Sequence, residues 1–177
     1  FSDATQFFWQ GISPYTTEFV EAHGRYFLYS PVFTVLFAPF AYLPAWLGPF
    51  AWNLFNYSLF FVAIFTLPQP FNQQQKCRMF LFLLLILGQS LLSFQYNITV
   101  AYLFLFAYTL LEKDRGFLAV LFIMISGCTK VYGIFELALL LCYPHVWRNF
   151  GYAVAMGIVL LALPLIKIAP ADLLPYY

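Results

Sequence analysis

The chain has 177 residues, of which 63% are hydrophobic, 23% aromatic and 8% charged, with a net charge of +1. A soluble domain carries about 25% charged residues, so this composition points to an integral membrane protein. The near-zero net charge leaves no basic field for nucleic acid. Cys77, Cys128 and Cys142 are far apart and form no C-x-x-C pair; they read as packing residues, neither a disulfide framework nor a zinc site.

Residues 1–30 are the most polar stretch, with Asp3, Glu18, Glu21, His23 and Arg25 and the breakers Gly11 and Pro14. They read as an outer loop with one or two short interfacial helices, and residues 31–177 as the transmembrane helical region. Residues 31–44 are apolar and interrupted by Pro39, which fits a re-entrant or interfacial helix or a thin span. Residues 46–67 are long enough to cross, and 68–78 form a polar connector. A helix is expected over 79–94, a polar break at 95–97 and a helix over 98–111. A charged turn follows at 112–115, then two short helices, 116–128 and 132–142, on either side of Lys130. A connector at 144–149 precedes the last helix at 150–166. The chain opens on Phe1 and stops in what reads as a loop, so a fragment is expected, with a span missing upstream and more missing downstream. The expected fold is an all-α polytopic bundle.

Lys76, Arg78, Lys113, Arg115 and Arg148 all fall in the connectors 68–78, 112–115 and 144–149. Excess Lys and Arg mark cytoplasmic loops. The breaks at 95–97 and around Lys130 then face outward, together with the C-terminal tail. Helices of 11–16 residues are too short for ~30 Å of hydrocarbon, and broken backbone at that depth is tolerated where it lines a cavity. An outward, water-accessible pocket is expected.

Lys130 is the residue with most to explain. Within 116–143 the only other charge is Glu136, and Gly127 and Gly133 flank the lysine. A cation at membrane depth marks a pathway or a binding site, and an anionic headgroup is a ligand it would suit. Asp3, Tyr29, Gln89, Gln95, Asn97 and Tyr132 fall on outward-facing elements. An acid can take a proton from an acceptor hydroxyl, a cation can stabilise a departing phosphate, and amides suit sugar hydroxyls. Arg25 and Lys167 are further cations for the phosphate. Each residue also has a plainer role: Asp3 as a solvated loop acid, Lys130 snorkelling to an interface or paired with Glu136, Gln89 and Gln95 bonding neighbouring helices. His23 and His145 read as interfacial, with no ligand cluster around them; no metal-ligating residues and no cofactor are assigned, and metal assistance is left open.

The order of these pieces resembles glycosyltransferase family 87, the polyprenol-phosphate-dependent membrane enzymes with a type C fold, mannosyltransferases of bacterial envelope glycans among them. The matching pieces are Asp3, Tyr29-Ser30-Pro31-Val32-Phe33, Pro39, Leu43-Pro44, Trp52-Asn53, Gln95-Tyr96-Asn97 and Lys130-Val131-Tyr132-Gly133. Two positions depart from the pattern: Phe94 stands where a glycine is usual, and Val32 where a second proline is frequent. The resemblance implies Asp3 as general base and Lys130 as a ligand of the donor phosphate. It implies a polyprenyl-phosphate sugar donor, a glycan or lipid acceptor, and a bacterial inner membrane with the active site outward. A lipid or anion transporter, and a non-catalytic subunit of a larger membrane complex in which Lys130 meets a partner carboxylate, are the alternatives.

Overall fold

The computed structural model describes residues 1–24, 26–92, 96–173 and 176. These are all-α, with no strand among the described residues. Two short helices, α1 (Ser2–Trp9) and α2 (Thr17–His23), lie within the first thirty residues. There follow α3 (Pro31–Ala41), α4 (Leu47–Phe65), α5 (Gln73–Leu92), α6 (Asn97–Leu111), α7 (Gly116–Thr129) and α8 (Val146–Ala162). A long 3-10 helix, Val131–Cys142, lies between α7 and α8, and a short one, Leu163–Ile166, continues α8. Two helical stretches, Leu47–Phe65 and Val146–Ile166, are long and apolar enough to cross a membrane.

The bundle has two apolar centres and an aromatic one. Ala119, Val120 and Ile123 of α7 pack with Ala107 of α6, Leu140 and Ala153. Phe60, Ala63 and Ile64 of α4 pack with Leu87, Ile98, Tyr102 and Leu103. Phe33, Phe37 and Ala41 of α3 meet Trp52 and Tyr96. Helices α4 and α6 run side by side in the same direction: Trp52 stacks on Tyr96, and lower down the Thr99 hydroxyl donates to Asn56 Oδ1 at 2.5 Å. Asn56 in turn donates to the Trp52 carbonyl at 2.7 Å, so the buried amide is satisfied on both sides.

Three elements differ from the sequence expectation. Helix α5 begins at Gln73, inside the stretch expected to be a connector. Asn72 and Gln75 exchange side-chain-to-backbone hydrogen bonds at 2.9 Å in each direction. This is the reciprocal arrangement that starts a helix, and polar residues hide it from a hydrophobicity reading. Lys76 in this first turn is turned inward and donates to the Phe65 and Leu67 carbonyls at 3.2 and 2.5 Å, capping α4. Helix α8 likewise begins at Val146, inside the expected 144–149 connector.

The third difference is the geometry of Val131–Cys142. Twelve residues at the ~2.0 Å rise of a 3-10 helix reach ~24 Å, against ~18 Å at the α-helical rise. The segment therefore extends further along the bundle than its residue count implies. Its buried positions are Gly133, Glu136 and Leu140, and Gly133 and Glu136 face Ser126 of α7. That face packs very close. A methyl group on Gly133 would sit 2.5 Å from Ser126 Oγ, and one on Gly127 would sit 3.2 Å from the Ile134 backbone. The two glycines flanking Lys130 thus serve close approach.

Candidate functional site

Lys130 occupies the hinge between α7 and the 3-10 helix, in extended backbone (φ −140°, ψ 119°). The hinge is held from outside. Ser30, just before α3, donates its amide to the Thr129 carbonyl at 3.2 Å and its hydroxyl to the Cys128 carbonyl. These carbonyls are at the end of α7, where intrahelical partners run out. The Tyr29-Ser30-Pro31 segment is therefore a helix start for α3 and a fastener for the Lys130 hinge. Behind the hinge the Thr129 and Tyr96 hydroxyls lie 2.9 Å apart.

The Lys130 ammonium donates to Asn97 Oδ1 at 2.9 Å. It also sits 5.2 Å from the centre of the Tyr29 ring and 4.7 Å from that of Tyr132, within range for cation–π attraction. The Tyr132 hydroxyl donates to the same Asn97 oxygen at 2.5 Å. Asn97 heads α6, so one amide ties the start of that helix to the lysine and to its neighbouring tyrosine. Glu136 does not pair with Lys130. It is buried against α7, where Ser126 donates to its Oε1 at 2.7 Å.

Lys130 opens onto a cavity of about 200 Å³ that Asp3 also lines, together with Tyr29, Tyr26, His23 and Phe1. Asp3 stands in the first turn of α1, with its side chain half exposed. Helix α1 is anchored by Gln6, which donates to the Ala41 carbonyl at 3.1 Å, and by the Phe1 ring, 5.0 Å from Tyr29 and 4.8 Å from Phe33. His23, interfacial by its sequence context, stands with Nε2 3.8 Å from Asp3 Oδ2. The usable signal was spacing. Phe19 and His23 are four apart on α2, as are Asp3 and Phe7 on α1, and residues four apart on a helix share a face.

A second, larger cavity of about 580 Å³ is almost wholly apolar. Phe33, Phe37, Trp52, Tyr96, Tyr102 and Phe106 are among its walls. One layer of rings separates it from the first cavity, since Tyr29 lies 5.0 Å from Phe33 and 5.9 Å from Tyr96.

The structure thus brings together Asp3, Tyr29, Asn97, Lys130 and Tyr132. Lys167 is elsewhere, lining a separate cavity with Gly11, Ser13, Asp172 and Tyr176. Arg25, Phe94 and Gln95 lie outside the described residues, as does the side chain of Gln89. No group of three or more His, Cys, Asp or Glu that could hold a metal ion occurs among the described residues.

The charged connectors meet at the opposite end of the bundle. Arg148 Nη2 is 3.6 Å from Asp114 Oδ1, and the Tyr143 hydroxyl donates to Glu112. The parallel run of α4 and α6 brings Lys76, at the end of α4, to this same end.

Comparison with curated proteins and with solved structures finds no match. The model of glycosyltransferase family 87 matches residues 27–177. That stretch contains Tyr29, Asn97, Lys130 and Tyr132, while Asp3 and His23 precede it. With most of its length matched and its apolar helices packed as a bundle, the chain belongs to glycosyltransferase family 87, a family of membrane-embedded helical glycosyltransferases.

Proposed function

We propose that this chain transfers a sugar, mannose on the family resemblance, from a polyprenyl-phosphate donor to a hydroxyl of an envelope glycan or lipid. The observation that carries the proposal is that Asp3 and Lys130 line one cavity. Displacement at the anomeric carbon needs a base for the incoming hydroxyl and a counter-charge for the leaving phosphate. A carboxylate at the cavity rim and an ammonium at its wall meet both needs. The acceptor oxygen loses its proton to Asp3 and forms the new bond to the anomeric carbon. The bond from that carbon to the phosphate oxygen breaks, and the electron pair leaves with the phosphate beside Lys130. Attack from the face opposite the leaving group inverts the anomeric centre.

An amphiphilic donor also suits the two cavities. A charged headgroup fits the polar one, and the apolar one offers an isoprenoid chain a wall of aromatic rings. Tyr29 and Tyr132, whose rings flank the ammonium, are placed for the sugar or headgroup. Asn97 is better read as the anchor of Lys130 than as a direct sugar contact, because its oxygen already accepts from Lys130 and Tyr132. The rival in which Lys130 seeks a carboxylate on another subunit loses support, since that ammonium already has Asn97 and two tyrosine rings. Lys167, on its separate cavity, is left out of the donor site. The reaction cavity faces outward across a bacterial inner membrane in this reading, with the cationic connectors on the cytoplasmic side.

The test is transfer from a polyprenyl-phosphate mannose donor by the full-length protein. Asp3→Asn is expected to lower kcat at least about 100-fold, the scale of losing a general base, with donor binding unchanged. Full activity in Asp3→Asn would remove the base assignment.

A further inference from the structure

The Asp3 carboxylate has a neighbour that the mechanism above does not use. His23 ends α2 and projects back across the cavity, with Nε2 3.8 Å from Asp3 Oδ2 and its side chain only 20% exposed. Its orientation is determined on three sides. Nδ1 lies 2.9 Å from the Phe19 carbonyl one turn earlier. The ring stacks on Phe19 at 4.3 Å and meets Phe7 edge-on at 5.4 Å. A carbonyl only accepts, so the contact with Phe19 assigns a hydrogen to Nδ1. Nε2 is then the nitrogen left to face the carboxylate. The separation is longer than a direct hydrogen bond, and catalytic hydrogen bonds of this kind tighten when substrate binds.

Among the described residues that line the cavity, the other titratable side chains are Tyr26, Tyr29 and Lys130, and Lys130 is turned to Asn97. Phe7 is on the same helix as Asp3, four residues on. The contact of Phe7 with Phe19, at 5.3 Å, therefore fixes α1 against α2 and holds the Asp3–His23 distance.

We propose that His23 is a positioning residue for Asp3: it presents Nε2 to the carboxylate and keeps that carboxylate aimed across the cavity. The proposal rests on Asp3 being the general base. It is tested with three variants of the full-length chain, with transfer from polyprenyl-phosphate mannose as the readout. His23→Phe keeps an aromatic ring between Phe7 and Phe19 and removes the nitrogen. It is expected to lower kcat about tenfold, what one hydrogen bond to a charged group is worth, with the donor KM unchanged. His23→Gln places an amide N–H near the position of Nε2 and is expected to recover most of that loss. A role in packing alone gives the reverse order, with His23→Phe active and His23→Gln impaired, and that result overturns the proposal. Asp3→Asn separates the two levels. If it is inactive while His23→Phe keeps wild-type kcat, only the inference about His23 fails; if it is fully active, the base assignment itself fails.

Discussion

At the scale of single residues, Lys130 illustrates how a costly charge is kept in an apolar chain. A cation at membrane depth needs polar or aromatic company. Here the company comes from Tyr29 before α3, Asn97 at the start of α6, and Tyr132 on the 3-10 helix. The lysine also stands at the carboxyl end of α7, where the helix dipole favours a positive charge. Lys130→Ala is expected to weaken binding of the donor about tenfold or more, the scale of a hydrogen bond to a charged group. Titration with a polyprenyl-phosphate sugar checks this, and unchanged affinity would count against the phosphate role. Asn97→Ala is expected to raise the donor KM a few-fold by releasing Lys130 from its anchor, less than removal of the ammonium itself. A change confined to kcat would argue that Asn97 acts in another way.

At the scale of elements, the hairpin of α7 and Val131–Cys142 depends on contact too close for a side chain. Gly133→Ala would drive a methyl into Ser126 and loosen the pairing of Ser126 with Glu136. A loss of about 1–3 kcal/mol is expected, as for overpacking elsewhere, read as a lower thermal midpoint in detergent. Gly11→Ala is a poor control because its φ is +82°, whereas Gly151, where an added methyl meets nothing within 4 Å, is a good one. Ser30→Ala removes the side-chain half of the fastener on α7. It is expected to cost about 1 kcal/mol and to lower donor affinity through Lys130.

At the scale of the whole molecule, the bundle is polar at its two ends and for different reasons. One end collects Glu112, Asp114, Arg148 and Lys76; the other holds Asp3, His23, Asn97 and Lys130. The native cysteines report orientation. Cys77 follows Lys76, Cys142 precedes Tyr143, and both are exposed, while Cys128 is buried. A membrane-impermeant maleimide added to intact cells is expected to leave Cys77 and Cys142 unlabelled, and to label them in inside-out vesicles. A Cys introduced at Ser13, on the cavity that Lys167 lines, should show the opposite pattern if the proposed topology holds. Labelling of the native pair from outside would invert the proposed topology.

The hydrophobic pattern alone determined the class of molecule, the order of its helices and the oddity of Lys130, because burial in lipid constrains every residue of a span in the same way. Periodicity and length placed α4, α6 and α7 within a residue or two. The same reading missed the start of α5, since the reciprocal Asn72–Gln75 bonds are local polar chemistry with no hydrophobic signature. It also missed the 3-10 course of Val131–Cys142, which is set by the close approach of Gly133 to Ser126 on another helix. What only the tertiary structure decided was company. Asp3 and Lys130 are 127 positions apart in the chain, and no spacing rule relates them; they share a cavity because α1 packs on α3 and Ser30 ties the start of α3 to the Lys130 hinge. For the same reason Lys167, a further candidate cation by sequence, lies on a different cavity, and His23, unremarkable by sequence, faces the carboxylate.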